Sequence, residues 1–333
     1  MSTYRALVAK SYGGPQNLEG ADLPLLPPGP GEIRVQIRAA GVGSTDLTIL
    51  RGHYPFAPKL PLVPGYECAG VVDAVGKGVK RFEVGQRVAG LTVCGGFAHF
   101  ITHTAADFFA LPDEVSFTDA AASLLNFATA WRAIEHAAHA QPAMKALVTG
   151  AAGGVGSALV QLLRFKGLAV FGAASVGKHD FVRKMGAMAI DSRAEMLARA
   201  MYLACPEGVD LAFDSLGARV VSRCIDATRV GGRIVGLGFS SDPTPMGTVS
   251  TFARLLIEAP LRGRRATFYG ITREHRRDPK PLRDAVGQVF ALVAAGVIRP
   301  PVAHMLPLAE APKALAMLQN AQVAGKIVLV VDD

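Results

Sequence analysis

A glycine-rich turn between an apolar run and a helical segment constrains this chain more than any other stretch. Residues Gly150–Gly156 read Gly-Ala-Ala-Gly-Gly-Val-Gly and follow the apolar run Ala146–Val148. Apolar residues then recur at the helical period over Ser157–Lys166, and a second apolar run spans Leu168–Ala174. A strand, a glycine turn, a helix and a second strand form the unit that binds a pyrophosphate at the N-terminus of its helix. The sequence therefore predicts a dinucleotide site, although Ala151 stands at the first glycine of the usual G-x-G-x-x-G pattern.

The predicted phosphate contacts in this turn are the backbone groups of Gly153, Gly154 and Val155. Glycine lets the backbone approach a ligand closely, and the N–H groups that open a helix lack partners within that helix. A glycine loop alone is a weak signal, because many strand-to-helix turns need glycine only for their backbone geometry. Its place inside a longer alternating α/β series favours cofactor binding.

Strands and helices continue to alternate after this unit. Strands are predicted at residues 187–191, 210–214, 233–237 and 267–270, and helices at 178–185, 195–204, 220–228 and 248–258. Six strands alternating with helices are typical of a doubly wound parallel sheet, placed here at residues 125–270. The tail, with helices at 281–295 and 308–320 and a strand at 326–331, does not continue the pattern. We expect it to return to the first domain, which would then comprise residues 1–124 and 271–333.

The N-terminal third has a different character, with short strands separated by glycine and proline. Strands are predicted at residues 32–38, 71–75, 86–90 and 97–103. This pattern indicates a small β-barrel or sandwich. An alanine-rich helix at residues 119–139, with Ser116 or Thr118 as its N-cap, leads into the glycine turn. The predicted fold class is therefore α/β, with a β-rich domain beside a parallel sheet.

Composition and charge narrow the possible partners. The 333 residues carry a formal net charge of +8, and eight lysines and arginines fall within residues 262–283. A solvated basic face explains such a cluster best, with an attraction for an anionic cofactor second. No nucleic-acid partner is expected, since no aromatic-interleaved motif accompanies the charge. No signal peptide or membrane span is evident in the pattern, so we expect a cytoplasmic protein.

The segment after the second strand of the unit distinguishes the two nicotinamide cofactors. An NAD site usually has an acidic residue about 20 residues beyond the glycines, which binds the ribose 2′-hydroxyl. Here no acid occurs between Gly150 and Asp180, and the strand runs into Ser175 with Lys178 close behind. A hydroxyl followed by a cation suits a 2′-phosphate. NADP(H) is therefore the predicted cofactor, with Arg193 as a second cation, although Lys178 could instead merely open a solvated helix.

Several motifs along nearly the whole chain resemble one family. They are Gly41-Val-Gly-Ser-Thr-Asp46, Arg51-Gly-His-Tyr-Pro55, Pro64-Gly-Tyr-Glu-Cys-Ala-Gly-Val-Val72, Phe82-Glu-Val-Gly-Gln-Arg-Val88, Ala151-Ala-Gly-Gly-Val-Gly156, Phe213-Asp-Ser-Leu-Gly217, Gly231-Gly-Arg-Ile-Val235 and Gly325-Lys-Ile-Val-Leu329. Together they resemble the medium-chain dehydrogenase/reductases, in their zinc-free quinone oxidoreductase branch. The resemblance implies a GroES-like catalytic domain, a Rossmann domain, a cleft between them and a homodimer.

The zinc ligands of the related alcohol dehydrogenases are replaced in this chain. Gly43 stands at the ligand cysteine position three residues before Asp46, and Tyr66 at the ligand histidine position before Glu67. Neither residue supplies the thiolate or imidazole that zinc requires there. Of the four-cysteine structural lobe only Cys94 is present. No metal is therefore expected.

The resemblance also implies roles for side chains elsewhere. Tyr54 would line the nicotinamide pocket and orient the substrate or donate a proton, although packing of its loop explains it equally well. Further cofactor contacts are expected at Asn126 and Thr129, at Gly238 and Phe239 (which follow a strand end), and at Phe268 and Lys326. The alternative for Asn126 and Thr129 is that they only cap the helix or satisfy backbone groups.

Without zinc, hydride transfer requires an acceptor that is already electrophilic. The predicted activity is NADPH-dependent reduction of a quinone or an α,β-unsaturated carbonyl. Two alternatives remain: an enoyl-thioester reductase of the same superfamily, and an NADPH-binding structural or regulatory protein with little turnover. The second rests on a faint likeness of Thr248–Tyr269 to the vesicle-amine-transport-1-like branch.

Overall fold

A computed structural model describes residues 2–240, 242 and 244–332, without the side chains of residues 194, 195 and 219. The strands are β1 (Thr3–Ala9), β2 (Leu18–Pro24), β3 (Glu32–Val42), β4 (Glu67–Val75), β5 (Arg87–Leu91), β6 (Phe100–Thr104), β7 (Phe108–Ala110), β8 (Lys145–Thr149), β9 (Ala169–Ala174), β10 (Met188–Asp191), β11 (Val209–Asp214), β12 (Thr228–Gly236), β13 (Arg265–Phe268), β14 (Val302–Pro307) and β15 (Lys326–Val330). The helices are α1 (Ser44–Leu50), α2 (Phe117–Arg132), α3 (Gly154–Phe165), α4 (His179–Lys184), α5 (Ala194–Ala204), α6 (Arg219–Ala227), α7 (Pro245–Ala253), α8 (Ala259–Leu261), α9 (Ile271–Arg277), α10 (Pro279–Ala294) and α11 (Ala311–Gln319).

The chain divides into two compact units. Unit 1 comprises Met1–Leu125 and Pro279–Asp333, and unit 2 comprises Asn126–Asp278. The second boundary lies eight residues later than the sequence indicated, at 278/279 instead of 270/271. The reason is that α9 is bonded into unit 2 through Glu274. Its carboxylate accepts bonds from the Arg132 guanidinium (Nη2–Oε1 2.5 Å) and from Tyr269 Oη (2.6 Å).

Unit 1 contains a seven-stranded sheet in the order β14-β15-β3-β4-β5-β7, with β6 also paired to β3. In β3 the side chains of Ile33, Val35 and Ile37 are buried and alternate with more exposed polar neighbours, as the sequence predicted. The tail joins this unit because β15 runs antiparallel to β3, with Ile327 opposite Val42. The sequence pattern missed α1, β7, α9, β14 and the β1–β2 hairpin.

Unit 2 contains a six-stranded parallel sheet in the order β10-β9-β8-β11-β12-β13. The order reverses between β8 and β11, which confirms the predicted α/β class with a doubly wound sheet. In such sheets ligands bind outside the carboxyl ends of the strands, at the reversal point. Leu147, Ala212 and Ile234 are fully buried in its core, so β8, which leads into the glycine turn, is packed on both sides by neighbouring strands.

The helix α2 begins at a side-chain cap. Ser116 Oγ accepts a bond from Asp119 N (3.0 Å) and donates one to Asp119 Oδ2 (2.7 Å). Ser116 is therefore the cap, and Thr118 is not. The helix continues past Arg132 as a π-helical turn, Ala133–Ala138, and ends at His139, whose φ is +53°. Across the described ranges of the chain, no helix combines the length and apolar character needed to cross a membrane.

Candidate functional site

The glycine turn packs too closely for side chains at two of its positions. A Cβ atom on Gly156 would lie 2.1 Å from the carbonyl oxygen of Gly150, and one on Gly154 would lie 2.5 Å from Asn126 Nδ2. Gly150 itself has a φ of +61°, and Gly153 is the N-cap of α3 without a side-chain cap. The turn therefore brings backbone N–H groups to the carboxyl end of β8, an arrangement that fits a pyrophosphate.

Asn126 and Thr129 lie on α2 beside this turn. Their side chains are buried, at 6% and 7% exposure, and their spacing of three residues places them on one face of the helix. The proximity of Asn126 to Gly154 brings the predicted contact residue next to the predicted phosphate cradle.

Gly156 provides a direct test of the turn. We expect Gly156→Ala to destabilise the protein by about 1–3 kcal/mol, because its Cβ meets backbone that cannot yield without moving the turn. The affinity for NADPH should fall together with the stability. Gly287→Ala is the matched control: Gly287 lies in α10 and its Cβ would point into open space, so a gain of about 0.5–1 kcal/mol is expected. Chemical denaturation measures the free energy of unfolding of both variants. Equal effects of the two substitutions would contradict a turn too tight for a side chain at Gly156.

Ser175 and Lys178 follow the carboxyl end of β9. They are joined by a tight turn in which Lys178 N donates to Ser175 O (2.8 Å). Ser175 is exposed and Lys178 is half-buried. Burial lowers the pKa of the Lys178 ammonium. A bound phosphate dianion would offset that effect, so the position fits an anionic ligand.

An acid that the sequence analysis did not weigh lies on the neighbouring strand. Asp191 ends β10 and is in register with Ala174, the last residue of β9. Its carboxylate accepts bonds from Arg193 Nε (2.8 Å) and Arg193 N (3.0 Å), and these bonds lower the pKa of Asp191. The ion pair places Arg193 at the same sheet edge as Lys178 and leaves the Asp191 carboxylate already engaged by a cation.

Gly238, Phe239 and Phe268 lie at the carboxyl ends of β12 and β13. The rings of Phe239 and Phe268 stack with their centroids 5.3 Å apart and their planes 2° from parallel. Phe252 packs on Phe268 at 4.9 Å. A Cβ on Gly238 would lie 3.1 Å from the Ser215 carbonyl oxygen. The structure thus brings these predicted residues together as an aromatic wall at the sheet edge.

A buried carboxylate, Asp214, ties the two central strands together beneath the glycine turn. Asp214 Oδ1 accepts a bond from Thr149 Oγ1 (2.5 Å), and Asp214 Oδ2 accepts one from Gly217 N (2.7 Å). Burial raises the pKa of Asp214. In the sequence, Asp214 stands out only as part of the motif Phe213–Gly217. Its position as the last residue of a buried strand was the available signal for this structural role.

Lys326 lies in unit 1, whereas the other predicted cofactor contacts belong to unit 2. Its side chain is 4% exposed, and its Nζ lies 2.5 Å from Glu67 Oε1. Glu67 is fully buried, and its other oxygen accepts a bond from Leu125 N (2.7 Å). The structure therefore gives Lys326 a carboxylate partner inside unit 1. Its predicted cofactor contact stays a prediction.

Tyr54 also belongs to unit 1, and it pairs with Tyr66. The two Oη atoms lie 3.0 Å apart, and the rings meet edge-on with centroids 5.9 Å apart. Tyr66 is 3% exposed, while Tyr54 is half-buried. Sequence reasoning treated Tyr66 only as a missing zinc ligand. The pairing of the two hydroxyls depends on the tertiary structure.

The donor set around Gly43 does not fit a zinc ion. A Cβ on Gly43 would lie 3.7 Å from Lys326 Nζ, so a cation already occupies the neighbourhood. Asp46 uses its carboxylate to accept bonds from backbone N–H groups of Gly43 (2.8 Å) and Tyr66 (3.0 Å). Burial raises the pKa of the Cys94 thiol to about 12. Within the described part of the chain, no group of three or more His, Cys, Asp or Glu side chains could hold a metal.

Two family models match parts of the chain. The "Alcohol dehydrogenase GroES-like domain" model matches residues 29–113, and the "Zinc-binding dehydrogenase" model matches residues 185–329. The human synaptic vesicle membrane protein VAT-1 homolog is 31% identical over 338 aligned positions, covering 98% of this chain and 86% of that protein.

Several solved structures are similar to this chain over nearly its full length. A mycobacterial protein, Rv1454c, complexed with NADPH superposes with a TM-score of 0.89 at 28% identity, covering 98% of this chain and 99% of that one. A mycobacterial quinone oxidoreductase gives a TM-score of 0.82 at 28% identity, with coverage of 98% and 99%. The CurK enoyl reductase gives 0.86 at 26% identity, with coverage of 99% and 100%. The chain therefore belongs to the medium-chain dehydrogenase/reductase superfamily, in its zinc-free quinone oxidoreductase branch, with a GroES-like domain and a Rossmann domain.

Proposed function

We propose that this protein is an NADPH-dependent, zinc-independent reductase of quinones or α,β-unsaturated carbonyls. The observation that carries the proposal is the replacement of two zinc donors by Gly43 and by Tyr66, whose hydroxyl pairs with that of Tyr54, in a chain that also has a glycine turn suited to a dinucleotide. A hydroxyl pair can donate a hydrogen bond or a proton, but it cannot polarise an isolated ketone as a metal does. Such a site suits a conjugated acceptor, in which the developing negative charge is delocalised.

The proposed cofactor is NADPH, which supplies a hydride when bound. Gly154 and Val155 would hold its pyrophosphate through backbone N–H groups at the start of α3. The N–H of Gly153 donates to Gly150 O (2.8 Å), so Gly153 would contribute the close approach of its backbone. Lys178 and Arg193 would bind the 2′-phosphate, with Ser175 as a hydroxyl donor. The NADPH complex of the mycobacterial relative supports this assignment by likeness.

The substrate class is tested by following NADPH oxidation against matched acceptors. Benzoquinones, alkyl enones and crotonyl-type thioesters should be compared at equal concentration. We expect turnover with quinones or enones to exceed turnover with the thioesters. The opposite order would favour an enoyl-thioester reductase, which the likeness to the CurK enoyl reductase supports. NADPH binding without oxidation against every acceptor would favour the binding protein, which the likeness to the VAT-1 homolog supports.

We also propose that the protein forms a homodimer through the outer edge of the unit 2 sheet. The strand β13 is the last in the order of that sheet, and an unpaired edge can accept a strand from another chain. Exposed apolar side chains occur in the segments preceding it: Val230 (69%), Leu256 (61%), Ile257 (59%) and Leu261 (82%). A second copy of this chain would cover them.

If the protein forms this homodimer, its mass in solution should depend on the protein concentration. Leu261→Asp should shift the protein from dimer to monomer by light scattering, because it places a charge in the apolar patch. Met305→Asp is the matched control, since Met305 is 63% exposed on β14 in unit 1. A monomeric wild type, or a dimer that survives Leu261→Asp, would contradict the proposed interface.

A further inference from the structure

The strands β9 and β10 end side by side at the carboxyl edge of the unit 2 sheet. Asp191, the last residue of β10, is in register with Ala174, the last residue of β9. Neighbouring strands lie about 4.8 Å apart, and residues in register on parallel strands carry their side chains on the same face of the sheet. An NAD site usually has its acid at the end of the second strand of the unit, which is the buried Ala174 here. The Asp191 carboxylate therefore lies one strand away from that position.

Two hydrogen bonds to one carbonyl oxygen hold the ends of these strands together. The Ala174 oxygen accepts a bond from Ser192 N (3.0 Å) and a second from His179 Nε2 (3.1 Å). Because a carbonyl oxygen only accepts, that nitrogen of His179 carries a proton. The residue that follows Asp191 is thus fixed to the end of β9, and Asp191 has a defined position relative to the turn that begins at Ser175.

Arg193 engages both oxygens of the Asp191 carboxylate. Asp191 Oδ2 accepts bonds from Arg193 Nε (2.8 Å) and Nη2 (2.5 Å), and Oδ1 accepts one from Arg193 N (3.0 Å). The side chain of Asp191 is 14% exposed, whereas that of Arg193 is 70% exposed. The guanidinium is thus the outer partner, and its removal would uncover the carboxylate without disturbing the buried sheet.

We propose that Asp191 is a latent acceptor for the ribose 2′-hydroxyl of NADH, and that Arg193 determines the selectivity for NADPH by holding it. This inference rests on the proposed NADPH site. With Arg193 in place, the carboxylate is engaged and its charge is compensated, so a 2′-phosphate meets cations at this edge of the sheet. Without Arg193, the same carboxylate would repel a 2′-phosphate and accept a hydrogen bond from a 2′-hydroxyl instead. Arg193 acts partly through Asp191, in addition to its direct contact with the phosphate.

The inference predicts a change of selectivity when the arginine is removed. Arg193→Ala should raise the dissociation constant for NADPH about 30-fold and lower that for NADH about fivefold, because a charge-assisted hydrogen bond to the 2′-hydroxyl replaces the one to the phosphate. The loss of a phosphate contact alone would leave NADH binding unchanged. The Arg193→Ala/Asp191→Ala double variant should abolish the gain for NADH, because the acceptor is gone. It should also recover about fivefold of the lost NADPH affinity, because the repelling charge is gone.

Arg183→Ala is the matched control. Arg183 is an exposed arginine on α4 that pairs with Asp180 (Nη1–Oδ1 2.7 Å), and its removal changes the net charge equally. We expect it to change neither dissociation constant more than about threefold, since exposed charges are screened by salt. Fluorescence titration with each nucleotide measures the dissociation constants, and thermal melting establishes that each variant is folded.

The outcomes distinguish the inference from the function on which it rests. An Arg193→Ala variant whose NADH affinity is unchanged or reduced overturns the inference and leaves the NADPH site standing. A gain for NADH that persists in the double variant also overturns it, since Asp191 is then not the acceptor. A gain for both nucleotides in Arg193→Ala would mean that Asp191 contacts a group common to both, such as the adenine, and overturns it too. If the wild-type protein binds neither nucleotide, both the proposed function and the inference fail.

Discussion

Replacing Lys178 with glutamate is expected to raise the dissociation constant for NADPH about 100-fold, while that for NADH changes less than about threefold. A charge-assisted hydrogen bond contributes about 1.5–3 kcal/mol, and each 1.4 kcal/mol corresponds to a factor of about ten in affinity. Reversing the charge adds repulsion from the 2′-phosphate, which NADH lacks. Lys178 is half-buried at the end of β9, so solvent screens this interaction less than it would at an open surface.

The dissociation constants for NADPH and NADH are measured by titrating the protein with each nucleotide and following the nucleotide fluorescence. Lys184→Glu is the matched control, because Lys184 is exposed on α4, six residues along, and carries the same change in net charge. We expect it to weaken NADPH binding only a few-fold. Equal losses of NADPH and NADH affinity in Lys178→Glu would refute the 2′-phosphate assignment, since a general disturbance of the turn affects both nucleotides. The same pair of titrations on Arg193→Ala tests the second cation.

Replacing Lys326 with methionine is expected to destabilise the protein by about 3–5 kcal/mol at neutral pH. The substitution keeps the volume of the side chain but leaves the Glu67 carboxylate buried without its ammonium partner. Asp46, a second buried acid, raises the cost further. Its own pKa is raised to about 6 by burial, despite backbone hydrogen bonds and Lys326, which lower it.

The contribution of Asp46 to the stability of the fold decreases as the pH rises. Because its pKa in the folded protein, about 6, lies above the ordinary value of 3.8, its contribution to stability is fully present below about pH 4 and is lost as the pH rises through 6. Removing Lys326 withdraws one of the influences that lower that pKa. The penalty of Lys326→Met should therefore shrink as the pH falls.

Denaturant unfolding across pH measures both effects. The Glu67→Gln/Lys326→Met double variant should recover much of the loss, because the Glu67 charge is removed together with its partner and only the Asp46 carboxylate remains buried. Lys313→Met is the control: its pair with Glu310 is exposed, at 63% and 39%, and should contribute less than about 1 kcal/mol. A loss of similar size in both lysine variants would show that the buried pair has no special role. The NADPH affinity of Lys326→Met tests the predicted cofactor contact of Lys326.

Sequence patterns were most informative where structure is local. The period of apolar residues placed α3 and β9 correctly beside the glycine turn. Elements without strong periodicity were missed. The strand β14 contains or adjoins prolines and is largely exposed as an edge strand, and α1 is only seven residues long. Neither gives a pattern that distinguishes it from a loop.

The α9 helix shows a different limit. The sequence pattern predicts no helix there, and residues 271–277 fall in the predicted first domain because they follow the last strand of the parallel sheet. The Arg132–Glu274 pair, which joins residues 142 apart in sequence, binds it to unit 2. No local pattern could have signalled this pairing, because each partner alone resembles an ordinary surface charge.

The sequence by itself determined the doubly wound sheet, the glycine turn, and the run from Ser175 to Lys178 that favours NADP(H). Each is a contiguous segment whose apolar period or glycine requirement can be recognised from the order of the residues alone. The tertiary structure alone decided that Asp191 lies beside Ala174, that Lys326 pairs with Glu67 across 259 residues, and that Tyr54 meets Tyr66. These depend on strand register and on where loops return, which are fixed only when the whole core packs. The turn proposed to bind the cofactor is thus visible in the local sequence, whereas the Lys326–Glu67 and Tyr54–Tyr66 pairs are not.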